Sequence, residues 1–145
     1  ERAMSEANKA VALKFITAMG ANDPVGAAQC LAPDAMAVAT GNSHFKGARS
    51  ARMMIDGIEA FKSLIPGGLQ LNVISAIADG DKVAVECEGN ATTSTGVTYD
   101  NKYVFVCTLR EGKIVLVNEY FCTVLANEVL WPLAQSAAGL GETAG

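Results

Sequence analysis

Residues 69–124 read LQLNVISAIADGDKVAVECEGNATTSTGVTYDNKYVFVCTLREGKIVLVNEYFCTV, and this stretch decides the fold. It is rich in β-branched and aromatic residues, which suit a pleated, half-buried surface. Turn-forming residues divide it at Asp79-Gly80-Asp81, Thr95-Gly96 and Arg110-Glu111-Gly112. The divisions predict four long strands, 69–78, 82–93, 98–109 and 113–124. Consecutive strands joined by short turns form an antiparallel meander.

The residues before this stretch read as helices. Ser5 is expected to cap a first helix with Glu6 in its opening turn. Val11, Phe15 and Met19 recur on one face, and Gly20 ends it. Asp23-Pro24 starts a short second helix, Asp as cap and Pro in the first turn, which breaks at Ala32-Pro33-Asp34. A strand over 36–40 and a turn at Gly41-Asn42-Ser43 follow. Gly47 is expected to open a longer helix to about Leu64, with Met54, Ile58, Phe61 and Ile65 on a buried stripe. After the sheet, a short helix over 125–131 is expected to end at Pro132. Helices segregated from an antiparallel sheet define an α+β layer fold. Long strands in so short a chain must twist, so the sheet is expected to curve round the long helix into a cone with a pocket at its open end. The expected organisation is one domain over 1–134 and a small, Gly-rich, frayed tail over 135–145.

Composition narrows the function. Of 145 residues, half are hydrophobic and 18% charged, which fits a globular chain. The net charge is −4 and no basic run occurs, so nucleic acid is not an expected partner. No apolar stretch is long enough to span a bilayer and no secretory signal is recognisable. Cys30, Cys87, Cys107 and Cys122 form no C-x-x-C pair and are read as reduced core residues, which points to the cytoplasm. With one histidine, His44, and no phosphate-binding or dinucleotide motif, neither metal nor cofactor is expected.

Several segments carry a family resemblance. They are Lys14-Phe15-Ile16-Thr17-Ala18-Met19-Gly20-Ala21-Asn22-Asp23, Leu31-Ala32-Pro33-Asp34-Ala35, Phe45-Lys46-Gly47, and Glu111-Gly112-Lys113-Ile114 leading to Asn118-Glu119-Tyr120-Phe121. In this order and spacing the chain resembles the NTF2-like superfamily and its SnoaL-like branch, which also holds ketosteroid isomerases and limonene-epoxide hydrolases. The resemblance implies a cone-shaped α+β barrel and a homodimer. Against the isomerases, the oxyanion-binding tyrosine corresponds to Phe15, the general-base aspartate to Ala39, and the protonated aspartate falls near Val104. All three positions depart from that mechanism. Against the epoxide hydrolases, the water-holding pair reads Ala37 and Ala39, and Glu119 stands at one catalytic aspartate. Carried across the hairpin, Glu86 takes the arginine position and Glu88 the other aspartate.

Glu119 lies on a strand that is largely apolar on both faces, with Val115, Val117 and Phe121 expected beside it. Desolvation there would raise its pKa and suit it to proton transfer near neutrality. Glu86 and Glu88 share a strand face opposite Val83, Val85 and Cys87. Simple alternation turns the glutamates to solvent, whereas the resemblance turns them into the cone as further catalytic acids. Asn101, Tyr103 and Phe105 share one face and, with Phe15, Phe61, Phe121 and Trp131, are the expected substrate-binding set. His44 is either a solvated turn residue or a rim group. The expected function is cofactor-free acid/base chemistry on a small hydrophobic, oxygen-bearing molecule: isomerisation, cyclisation or hydrolysis. The alternatives are a non-catalytic carrier and a dimeric interaction domain.

Overall fold

The computed structural model describes residues 2–137. Helix α1 (Arg2–Gly20) and the short α2 (Pro24–Ala28) lead into strands β1 (Leu31–Ala39) and β2 (Gly47–Ser50), then helix α3 (Ala51–Leu64). Strands β3 (Asn72–Asp79), β4 (Lys82–Glu88), β5 (Ala91–Thr92), β6 (Thr98–Tyr99), β7 (Lys102–Arg110) and β8 (Lys113–Phe121) follow. The chain then continues through a three-residue turn of helix, α4 (Thr123–Leu125), a π-helical turn over Ala126–Leu130 and helix α5 (Trp131–Ala137).

The expected α+β architecture is present. The main sheet has the order β2-β1-β8-β7-β4-β3, while β5 and β6 form a separate ribbon. Its core is the predicted meander, β3-β4-β7-β8, antiparallel throughout. Tight turns make this possible: Glu111 and Gly112 both take positive φ between β7 and β8, a geometry that suits a two-residue hairpin. The sheet is not wholly antiparallel, because β1 runs parallel to β8. The chain reaches that position by a crossover through α3 and the meander, so no tight turn constrains the direction.

Several boundaries differ from expectation for local reasons. Ser5 does not cap α1. It lies inside the helix, and its hydroxyl accepts from the Gly80 N–H at 3.2 Å, while Asn8 donates to the Gly80 carbonyl. Those bonds fasten α1 to the β3–β4 turn. The first strand begins five residues early, at Leu31, and absorbs Pro33 through an irregularity between Leu31 and Met36. Gly47 opens the edge strand β2 rather than a helix, and the cap of α3 is Ser50, whose hydroxyl accepts from Met53 N–H at 3.2 Å. The predicted long strand over 82–93 stops at Glu88, where Gly89 and Asn90 leave the sheet to bond Asn101 and Leu69 carbonyls. The expected stop at Pro132 is absent too. Pro132 lies just after the π-helical turn Ala126–Leu130, and the helix runs on to Ala137. The expected tail thus begins helically, and its part from 138 onward lies outside the described residues.

The core lies between the concave sheet face and the helices. Phe15 and Ile16 from α1 meet Val83, Val85 and Cys107 of the sheet, all at most 1% exposed. Gly68 permits a close crossing at φ 77, where any Cβ would meet the Gly20 carbonyl, and Leu69 N–H bonds that same carbonyl at 2.9 Å. Cys30, Cys87 and Cys107 are buried and unpaired as expected, and burial raises all three thiols, Cys107 to about 12. Cys122 departs from that expectation and is exposed, because β8 has ended before it. No described helix is long and apolar enough to cross a membrane.

Candidate active site

Strands β1, β2, β6, β7 and β8, helices α1, α3 and α5 and the π-helical turn line a cavity of about 590 Å³. Register dictates its walls. On β8, Glu119 stands opposite Phe105 of β7 and beside Ala39 of β1. Two residues on, Phe121 faces Tyr103. Side chains alternate across a strand, so Tyr103, Phe105, Val117, Glu119, Phe121, Ala37 and Ala39 share the concave face. Met54, Ile58 and Phe61 of α3 and Phe15 of α1 complete it. The two alanines keep the floor shallow, which leaves volume that larger residues would fill.

The sequence pattern alone misplaces one part of β8. Between Thr108 and Leu109 the register shifts, and Val115 has no partner on β7. This bulge brings Ile114 to the core, 0% exposed, although strict alternation sets it on the face opposite Glu119.

Glu119 is the only carboxylate among the described cavity residues. It keeps some accessible surface because it lines the cavity, yet it stands deep within the fold. Loss of hydration pushes its carboxyl from 4.5 to about 7, against a smaller lowering influence of the Arg49 guanidinium. Among the described residues it makes no ion pair. Tyr103 stacks on Phe105, with centroids 5.5 Å apart and planes at 11°. Burial holds its phenol far above the usual range, so it remains an O–H donor at any working pH. Tyr99 joins the wall nearby, and burial raises its phenol too.

The expected site is therefore divided. Glu119, Phe15, Phe61, Tyr103, Phe105 and Phe121 come together on the cavity wall. Glu86 and Glu88 do not. They stand on the convex face of β4: Glu86 accepts from the Ser75 hydroxyl at 3.1 Å, and Glu88 pairs with Lys102 at 2.9 Å. Val83, Val85 and Cys87 take the inner face, so simple alternation prevails over the resemblance at these two positions. Asn101 is buried but is not a wall residue. Its amide donates to the Tyr99 hydroxyl and the Cys122 carbonyl and accepts from Lys102 and Cys122 N–H groups, which leaves it little capacity for a ligand. Trp131 also lies off the cavity, packed at 5.2 Å against both His44 and Phe45. Its neighbours Leu130 and Ala134 face inward instead. His44 is exposed and is held by its backbone N–H to Asn127.

Sequence reasoning missed Arg49 and Tyr99. Arg49 is on β2 opposite Ala37 and so points to the concave face. Reading Ser50 as the helix cap would have freed Gly47–Arg49 to be a strand and exposed this alternation.

The fold is widely shared. The chain resembles an NTF2-like protein of unknown function from Burkholderia pseudomallei K96243 at 19% identity and TM-score 0.74, over 86% of this chain and 98% of that one. It resembles TerC, co-crystallised with polyporic acid, at 24% identity and TM-score 0.71, over 85% and 97%. A protein with a ketosteroid isomerase-like fold from Catenulispora acidiphila DSM 44928, in complex with trimethylamine, matches at 15% identity and TM-score 0.68, over 81% and 90%. No curated protein matches the chain in sequence. The model of the SnoaL-like domain matches residues 12–117, and the chain belongs to that family.

Proposed function

We propose that the cavity binds a small apolar molecule bearing a carbonyl or hydroxyl oxygen and that Glu119 moves a proton on it without a cofactor. The observation that carries this reading is a single carboxylate, pushed up to about 7, on the wall of an otherwise apolar cavity. Such a group is divided between acid and base near neutrality, which suits both proton removal and return. In an isomerisation, the Glu119 carboxylate takes a proton from the carbon next to a carbonyl. The C–H electron pair becomes the enolate, with its charge on oxygen. The same carboxyl then returns the proton to a different carbon, and nothing is oxidised or reduced. Tyr103, held as a neutral phenol, is suited to donate to the developing oxyanion. That TerC, a protein of similar fold, was co-crystallised with polyporic acid supports a small-molecule role for the fold.

The test is a turnover screen with cyclic ketones, lactones and epoxides. The native protein is expected to act on at least one class, with kcat/KM rising as Glu119 ionises through pH about 7. Glu119→Gln should abolish that rise. Full activity in this variant overturns the mechanism.

A carrier function is the second reading. Ala37 and Ala39 favour it, since the first strand offers no polar group to hold a water or share a proton. Retention of a lipophilic molecule through purification, with silence in every turnover screen, would select it. The homodimer is a proposal of the same standing. Met36, Ile77 and Tyr120 are exposed on the convex sheet face, where a second copy would cover them. Light scattering that reports a monomer at all working concentrations overturns it. The free cysteines support a reducing, cytoplasmic location for this chemistry.

A further inference from the structure

The wall of the cavity holds a cation as well as an acid. Among its described residues Arg49 is the only permanently charged cation. Its guanidinium has five N–H donors. One nitrogen donates to the Phe45 carbonyl at 2.7 Å, and the remaining donors have no partner among the described residues. Neither does Arg49 pair with any carboxylate there.

Position gives that observation a direction. Arg49 lies opposite Ala37, and Glu119 lies beside Ala39, with β1 between their strands. Strand spacing and rise set their backbones roughly 12 Å apart across the concave face. The gap is apolar, floored by alanines and walled by Phe45, Phe61 and Phe105. The cavity also opens along α3, where Met53, Gly57 and Ala60 are both wall residues and exposed.

We propose that Arg49 anchors an anionic oxygen on the ligand, so that the site selects an apolar organic anion, such as a carboxylate, over its neutral analogue. This rests on the proposal that the cavity binds a small apolar molecule, and it names the class. An N–H fork beside an apolar wall matches a carboxylate in shape and charge. Arg49 would hold the anionic end while the ring system lies along Phe45 and Phe61 and its far end reaches Glu119.

The test is calorimetric titration of the whole chain with 2-naphthoate and with 2-naphthamide, its neutral isostere. The acid is expected to bind about tenfold tighter or more. Arg49→Met should erase that preference by weakening naphthoate binding far more than naphthamide binding, and Arg49→Lys should keep part of it. If Arg49→Met does not fold, the reduced preference of Arg49→Lys serves the same purpose. Equal affinities in the native protein, or a preference that survives Arg49→Met, overturn the inference and leave the cavity reading standing. Binding of neither compound overturns both.

Discussion

The two faces of the sheet treat the same residue type differently. Glu119 on the concave side and Glu86 and Glu88 on the convex side belong to one sheet, with only β7 between their strands. The convex pair has solvent, Ser75 and Lys102 for company. The concave residue has aromatic rings and alanines, and its carboxyl is pushed up to about 7. Chemistry is thus assigned by the pleat and not by residue identity: a glutamate one position along would be an ordinary surface charge.

The largest expected effect tests that asymmetry directly. Glu119→Gln should lower turnover by about two orders of magnitude or more, whereas Glu86→Gln should change it less than about twofold. Steady-state kinetics on both variants checks this, and comparable losses would dissolve the distinction between the faces.

Stability should separate them next. Below pH about 4.5 Glu119 is neutral folded or unfolded, and no penalty operates. As pH rises from about 4.5 to about 7 the unfolded chain ionises first, so the native state loses stability, and above about 7 the loss levels off. The full loss is about 3 kcal/mol at most. Glu119→Gln should flatten this slope in denaturant melts taken across the range, while Glu86→Gln leaves it in place.

Asn101 sharpens the comparison from a third position, buried yet off the cavity. Asn101→Ala should cost about 2 to 3 kcal/mol of stability, since it orphans buried partners. Ligand affinity of the folded fraction should stay unchanged. A selective loss of affinity would return Asn101 to the binding set. The smallest effect belongs to the convex face: Lys102→Ala should cost at most about 0.5 kcal/mol by chemical denaturation, because its pair with Glu88 is solvent-exposed.

How far the sequence speaks follows the same physics. Turn residues and alternation made the meander legible, since Asp79-Gly80-Asp81 and Glu111-Gly112 leave few other connections. Glu119 was legible because a carboxylate in an apolar strand is conspicuous. Glu86 and Glu88 were legible from alternation alone, and the resemblance led away from it. The bulge at Val115 left no mark, because β-branched residues suit bulged and regular strands alike. Arg49 was hidden by β2, four residues long and opened by a glycine that also reads as a turn. Asn101, read as part of a strand over 98–109, lies in the break between β6 and β7, and its partner Cys122, like the partners His44 and Phe45 of Trp131, is brought near only by the folded chain.

The central claim is that the concave face holds one desolvated carboxyl. Carbon-13 NMR of the labelled Glu119 side-chain carboxyl, followed through a pH titration and assigned by loss in Glu119→Gln, measures it directly. The account predicts a midpoint at about 7. A midpoint near 4.5, the ordinary value for this side chain, would contradict it.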